Sequence, residues 1–319
     1  MLFLRRHFLY SEGSGGDASF VDTLLGMPYL RRTFAILLLL CSIKDALAEG
    51  VPCERVISLA PSVTETLFEL ELGPKMIGRT DFCRYPPEAK AIESIGGFYD
   101  VNIERLLTKK PTHVFALKEN VRSVEALRRF GIPVTEVDHS SRGGIRASLT
   151  TIATTCGVKE RADRRLAELD REEREVIAHC DSTRGVKVTT PTRTMVVVGR
   201  TREGSASSGV YVSGHDGFYS ELLTMLGASN VNTRSTVAVP SLSAEGIMSL
   251  NPEIVLEIVN VDDREQPEKL LSFWRSFPQL DAVKNNRVFL IDDDYASIPG
   301  PRYINVLRLF ASRVCHPRP

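Results

Sequence analysis

The side chain with the most specific chemistry in this 319-residue chain is Arg302, set in the turn Pro299-Gly300-Pro301-Arg302. A guanidinium is a planar fork that donates two parallel hydrogen bonds, so Arg302 suits either a carboxylate or amide edge or a nearby backbone end that needs capping. Pro61 and Ser62 mark a turn from an apolar run into a helical pattern, where backbone N–H groups can face an acceptor. The sequence carries no GxSxG elbow, no GxGxxG after a strand pattern and no GxxxxGK(S/T) loop. Gly204-Ser205-Ala206-Ser207-Ser208-Gly209 reads only as a flexible loop, and no base and nucleophile pair can be nominated. No catalytic residue is therefore expected. His113, His139, His179, His215 and His316 lack paired spacing and no CxxC occurs, so a bound zinc or manganese site is not expected either.

The elements that must position these residues alternate in type. Strand patterns at 55–59, 76–78, 113–116 and 134–137 are separated by helical stretches through Leu72, at 102–108 and at 121–130. Thr64 or Ser62 can cap the first helix, and Gly73-Pro74 can stop it. From Gly144 two helical stretches, 145–156 and 159–180, follow without a strand. The second holds Ala162, Leu166, Leu169, Val176 and Ile177 on one stripe, which fits a surface helix or a strut between two lobes. A Thr-, Arg- and Lys-rich loop, 181–193, leads into a strand at 194–199, with further strands at 254–259 and 287–291. Helices are expected at 218–226, 243–249, 268–273 and 304–311. The fold class is α/β, with an amino-terminal lobe over 52–143, a bridging helical segment over 144–181 and a carboxy-terminal lobe over 182–319.

The two halves repeat one another. Asn102-Ile103-Glu104, with Pro111 and a strand after it, lines up with Ser243-Ala244-Glu245, Pro252 and a strand. Upstream, Glu65–Gly73 resembles Ser220–Gly227, each read as a helix ended by a C′ glycine. Two related units joined by one long helix leave a cleft between them, the common place for a ligand.

Residues 28–48 place Arg31 and Arg32 before an apolar run and end in Ala46-Leu47-Ala48, the plan of a cleavable secretory signal peptide. The run is about half of the ~20 residues a membrane span needs. Met27 is a candidate start, residues 1–48 are excluded from the fold, and lipid attachment at Cys41 is disfavoured by Leu40 before it. Lys+Arg and Asp+Glu both total 40, so no charge excess points to nucleic acid. Cys53, Cys83, Cys156, Cys180 and Cys315 then remain, an odd number whose pairing the sequence leaves open. Only Cys156–Cys180 is excluded, because the helical stretch between them holds them tens of Å apart.

The segments RVISLAPSVTETLFELELG (55–73), DFCRYPPEAK (81–90), GGFYDVNIERLLTKKPTHVFA (96–116), GFYSELLTMLGASNVN (217–232), SLSAEGIMSLNPEIVL (241–256) and PGPR (299–302) resemble the class III periplasmic binding proteins. These are helical-backbone receptors for vitamin B12, ferric siderophores and haem, and the match spans nearly all of 52–315. The resemblance implies two Rossmann-like lobes with parallel sheets, joined by one long backbone helix with the ligand cleft between them. It implies a monomer that needs no cofactor and carries a metal-containing chelate to the transmembrane permease of an ABC importer. Glu104 and Glu245 fall where this family presents one permease-docking glutamate per lobe. Two separated carboxylates give a two-point electrostatic register, although each also suits a helix amino terminus in its own right.

The resemblance further places Tyr85 and Phe98 on the ligand wall, with Phe82, Tyr99, Phe218, Tyr219, Val239 and Trp274 as further candidates, and the chemistry of Arg302 and of the Pro61-Ser62 turn suits polar groups of the ligand. Each aromatic residue also has an ordinary reading as core packing. DFCRYP and Phe98 tilt the ligand towards a corrinoid. Phe98 and Val239 stand where B12-binding members often carry tryptophan, a departure that works against it. An axial bond from one of the histidines to haem iron or cobalt stays open. The competing functions are an α/β enzyme of unknown reaction and a stand-alone extracytoplasmic sensor or scavenger.

Overall fold

The computed structural model describes residues 53–185, 190–201, 209–233, 237–259 and 267–316. The signal segment, Cys41 and residues 204–208 of the Gly/Ser loop lie outside them. The first sheet is parallel throughout, in the order β2-β1-β3-β4. Its strands are β1 (Val56–Ser58), β2 (Met76–Gly78), β3 (His113–Leu117) and β4 (Val134–Val137). β1 is buried along its whole length and β3 along most of it, which is why both read as apolar runs without alternation.

Helices α1 (Pro61–Glu69), α2 (Ile103–Thr108) and α3 (Val121–Arg129) accompany this sheet. α1 begins with Pro61 in its first turn, after Ala60, and neither Ser62 nor Thr64 caps it. The Thr64 hydroxyl donates instead to Ser58 Oγ at 2.9 Å, satisfying both inside the core. Gly73 does not end α1 either. Glu71 takes the left-handed turn, with φ of 55°, and Gly73 opens a separate 3₁₀ turn.

The bridging segment is longer than expected at both ends. α4 (Arg142–Thr155) is capped by Ser141, whose Oγ accepts the Gly144 N–H at 2.9 Å. α5 (Lys159–Arg184) runs four residues past Cys180 before Gly185 ends it in the left-handed conformation. Ser182 and Thr183 were expected in a loop. Inside the helix their hydroxyls donate to the His179 carbonyl, each at 2.8 Å. At 26 residues α5 is about 39 Å long, and it buries Ala162, Leu169, Val176 and Cys180 along one stripe.

The second sheet runs β10-β9-β5-β6-β8, with β7 also on β5. In chain order its half holds β5 (Thr192–Arg200), β6 (Val210–Val212), α6 (Phe218–Met225), β7 (Ala228–Asn230), β8 (Ser241–Leu242), α7 (Ala244–Leu250) and β9 (Ile254–Ile258). α8 (Pro267–Arg275), α9 (Asp281–Lys284), β10 (Val288–Ile291) and α10 (Tyr303–Val314) complete it. β5, β7, β9 and β10 are parallel, whereas β6 runs antiparallel to β5 and β8 antiparallel to β6. β5 is long enough to take β7 along Thr192–Thr194 and β6 along its far end.

One apolar core joins the two sheets. It continues from Val56 and Phe115 through Ile145, Leu149 and Leu169 of the helical bridge to Leu222, Leu256, Leu307 and Phe310. Two disulfides staple the bridge. Cys53 pairs with Cys156 between α4 and α5, and Cys180 near the end of α5 pairs with Cys315 after α10. Cys83 is left as a buried free thiol.

Candidate functional site

In a parallel sheet the loops that follow the carboxyl ends of the strands gather at one edge, where open α/β proteins bind their ligands. Pro61 and Ser62 follow β1, Phe82 and Tyr85 follow β2, Asn120 follows β3 and His139 follows β4. In the other half Asp294 and the 299–302 turn follow β10. The two edges meet. Gly300 lies so near α1 that a Cβ there would come within 3.0 Å of Ser62 Cβ. The Phe218 N–H donates to the Ser140 carbonyl at 2.8 Å, and the Arg142 N–H to Glu221 Oε2 at 2.7 Å.

Arg302 crosses this junction. Its Nε and Nη2 donate to the two carboxylate oxygens of Glu65 at 2.9 and 2.5 Å, and its Nη1 donates to Asp294 at 3.1 Å. Both members of the Glu65–Arg302 pair are buried, and the Tyr85 ring lies over the guanidinium with its centroid 3.8 Å from Cζ. Burial pushes the Glu65 carboxyl above its ordinary value against the pull of Arg302. Burial opposes the charge on Arg302 too, but the hydrogen bonds it donates to Glu65 and Asp294 hold it above the ordinary arginine value. The fork that was expected to meet a ligand carboxylate or amide is therefore occupied by protein carboxylates. Ser62 is likewise covered by the Gly300 turn, and Pro61 brings no N–H to an acceptor.

The aromatic candidates separate by exposure. Phe82, Tyr85 and Tyr99 present 57%, 41% and 81% of their surface to solvent, and Val239 is also exposed. Phe98 is half-buried and packs edge-on against Tyr99, with ring centroids 4.7 Å apart. These two rings border a recess of about 200 Å³ with Glu119, Asn120, Val121 and Arg122. Asn120 shapes it from below by donating from Nδ2 to the Phe98 carbonyl at 3.1 Å while its Oδ1 accepts the Leu117 N–H at 3.0 Å. Phe218 and Trp274 prove to be interior residues. Phe218 belongs to the main core, and Trp274 is buried with its indole N–H donating to Glu257 Oε2 at 2.7 Å.

Glu104 and Glu245 lie outside this junction, both exposed and both two residues after a helix cap. Asn102 accepts the Arg105 N–H at 2.8 Å and Ser243 accepts the Gly246 N–H at 3.3 Å, so α2 and α7 begin in the same way. Hydrogen bonds from its own backbone N–H and from Ser243 hold the Glu245 carboxyl below its ordinary value. Among the described residues, no group of three or more His, Cys, Asp or Glu side chains is placed to hold a metal ion.

Glu65, Asp294 and Asn120 were missed in the sequence. Glu65 left one trace, an acidic residue between Val63 and Leu67 in a helix that buries both of them. Such a position calls for a cation from elsewhere in the chain.

The description "Periplasmic binding protein" fits a family model that matches residues 56–295. The chain is 30% identical over 280 residues to the vitamin B12-binding protein of Pectobacterium atrosepticum, covering 87% of this chain and 91% of that one. Its fold is similar to that of the periplasmic vitamin B12 binding protein of Vibrio cholerae, with a TM-score of 0.68, 21% identity, and 82% and 97% of the two chains covered. It is also similar to a protein of S. aureus solved with haem, at a TM-score of 0.65, 20% identity, and 82% and 98% covered.

Proposed function

The chain belongs to the periplasmic binding protein family, and from that membership we propose that it is an exported receptor delivering a metal-containing chelate to an ABC importer. The observation that carries the ligand class is the group of exposed aromatic residues Phe82, Tyr85 and Tyr99 in loops that follow the carboxyl edge of the first sheet. Exposed rings in such loops suit a flat macrocycle, which gains apolar area on each stacked face. A corrinoid or haem fits that chemistry, and a ferric catecholate, octahedral at iron, is the alternative ligand that offers only its single catechol rings for stacking. Its relatives are solute-binding proteins, which supports a receptor rather than an enzyme. It works as a monomer, exported by the 28–48 signal segment and released into the periplasm.

Glu104 and Glu245 serve as the permease contacts. Their identical position on two equivalent, capped helices supports a two-point register against basic groups on the permease. Phe98, Tyr99 and the recess beside Asn120 form one wall of the ligand site, with Val239 as the candidate from the other half.

Calorimetric titration of the purified protein with cyanocobalamin, haemin and a ferric catecholate tests the ligand class. Saturable one-to-one binding of one of them is expected, and binding of none would overturn it. Reversing both charges, Glu104→Lys with Glu245→Lys, is expected to abolish uptake while leaving ligand affinity unchanged. Normal uptake by that variant would remove the docking role and favour a stand-alone scavenger.

A further inference from the structure

We propose that Arg302 is a positioning residue that holds the Tyr85 ring as a flat platform for the ligand without bonding the ligand itself. The proposal rests on the receptor function above. Three of the five N–H groups of Arg302 are bonded, those of Nε and Nη2 to Glu65 and one of Nη1 to Asp294, and the side chain is only 7% exposed, so little of its donor edge reaches solvent. One face of the guanidinium plane is turned to Tyr85, whose ring covers it at 3.8 Å.

Tyr85 keeps 41% of its surface exposed, so the same ring is anchored on a buried cation and open to solvent. Among the exposed aromatic residues described, it is the one with a cation beneath its ring. Tyr99, by contrast, is 81% exposed and meets Phe98 edge-on. A ring that is already immobile loses less entropy when a planar ligand stacks on it.

The arrangement also crosses the molecule. Tyr85 and Glu65 come from the half built on the first sheet, Arg302 and Asp294 from the half built on the second. Ligand stacking on Tyr85 is thereby coupled to the junction between the halves.

The test uses the full chain labelled with 3-fluorotyrosine, with Tyr85→Phe assigning the Tyr85 resonance. Arg302→Lys keeps the charge and removes the planar fork. It is expected to shift or broaden the Tyr85 resonance in ligand-free protein and to weaken cyanocobalamin or haemin binding about tenfold. In a Tyr85→Leu background the same substitution is expected to add less than roughly twofold, because the platform is already gone.

An unmoved Tyr85 resonance, or an equal loss of affinity in both backgrounds, would overturn the proposal, the second by showing that Arg302 meets the ligand directly. Asp294→Asn, at a half-exposed partner of the fork, gives the same fluorine readout if Arg302→Lys folds poorly. A shifted Tyr85 resonance is expected there, and an unmoved one counts against the proposal. If neither ligand binds the unmodified protein, the receptor function falls, while the fluorine spectra still decide whether Arg302 holds Tyr85.

Discussion

Arg142, in the first turn of α4, clasps Glu173 in the middle of α5, with Nε and Nη2 on its two carboxylate oxygens at 2.7 and 2.5 Å. Glu173 also accepts from the Tyr303 hydroxyl of α10, and Arg146 donates to that hydroxyl at 3.2 Å. One buried carboxylate thus ties three helices.

Replacing Glu173 by alanine leaves the Arg142 guanidinium and the Tyr303 hydroxyl short of their acceptor. The expected cost is about 3 kcal/mol, read as a lower midpoint in denaturant with an unchanged slope. Glu173→Gln keeps the shape and some acceptor capacity, and is expected to lose less.

The Cys180–Cys315 bridge closes a span of 135 residues. Replacing both cysteines by serine is expected to cost roughly 2–5 kcal/mol and to lower the Tm, since the open chain regains the freedom that the link removed. Thermal melts of wild type with and without reductant should bracket the variant.

His139 supplies a pH dependence. It is buried beside Ser148, with Nε2 2.7 Å from the hydroxyl, and burial pushes its pKa down to about 4. The unfolded chain takes up a proton as pH falls through the ordinary imidazole value of about 6.5 and the folded protein does not, so stability falls between there and about 4. The drop is on the order of 3 kcal/mol, and His139→Gln should flatten it in denaturant midpoints measured across that window.

Asp138 acts further down the scale. Hydrogen bonds from Lys118 and from Ser140 hold its pKa down at about 2. Its contribution is complete above the unfolded value of about 4 and is lost as pH falls through 2. Asp138→Asn should therefore shorten the acid limb of the stability profile below pH ~4, modestly, because the carboxylate is about a third exposed and its Lys118 partner more so, which lets solvent screen the pair.

What the sequence disclosed was local or repeated. The α2 and α7 starts were legible because a cap, a glutamate and a strand-leading proline recur at the same spacing in both halves. The Glu65–Arg302 pair was not, because its partners stand 237 residues apart and neither helix nor turn spacing connects them. Arg302 advertised a fork but not its occupant. Phe218 and Trp274 advertised apolar area, which serves a core as well as a ligand wall. Strands β6, β7 and β8, two or three residues each, are too short to show a period.

The continuous core bears on how the molecule comes apart. Because Leu169 and Val176 of α5 are packed in one cluster with Val56 and Phe115 on one side and Leu256 and Phe310 on the other, neither sheet can melt and leave the other's interior dry. The protein is therefore expected to unfold as a single cooperative body despite its duplicated plan. Its calorimetric trace is expected to hold one peak with matching calorimetric and van't Hoff enthalpies. Expressing either half alone would leave α5 with an uncovered apolar stripe, so the two halves are not expected to fold as independent units.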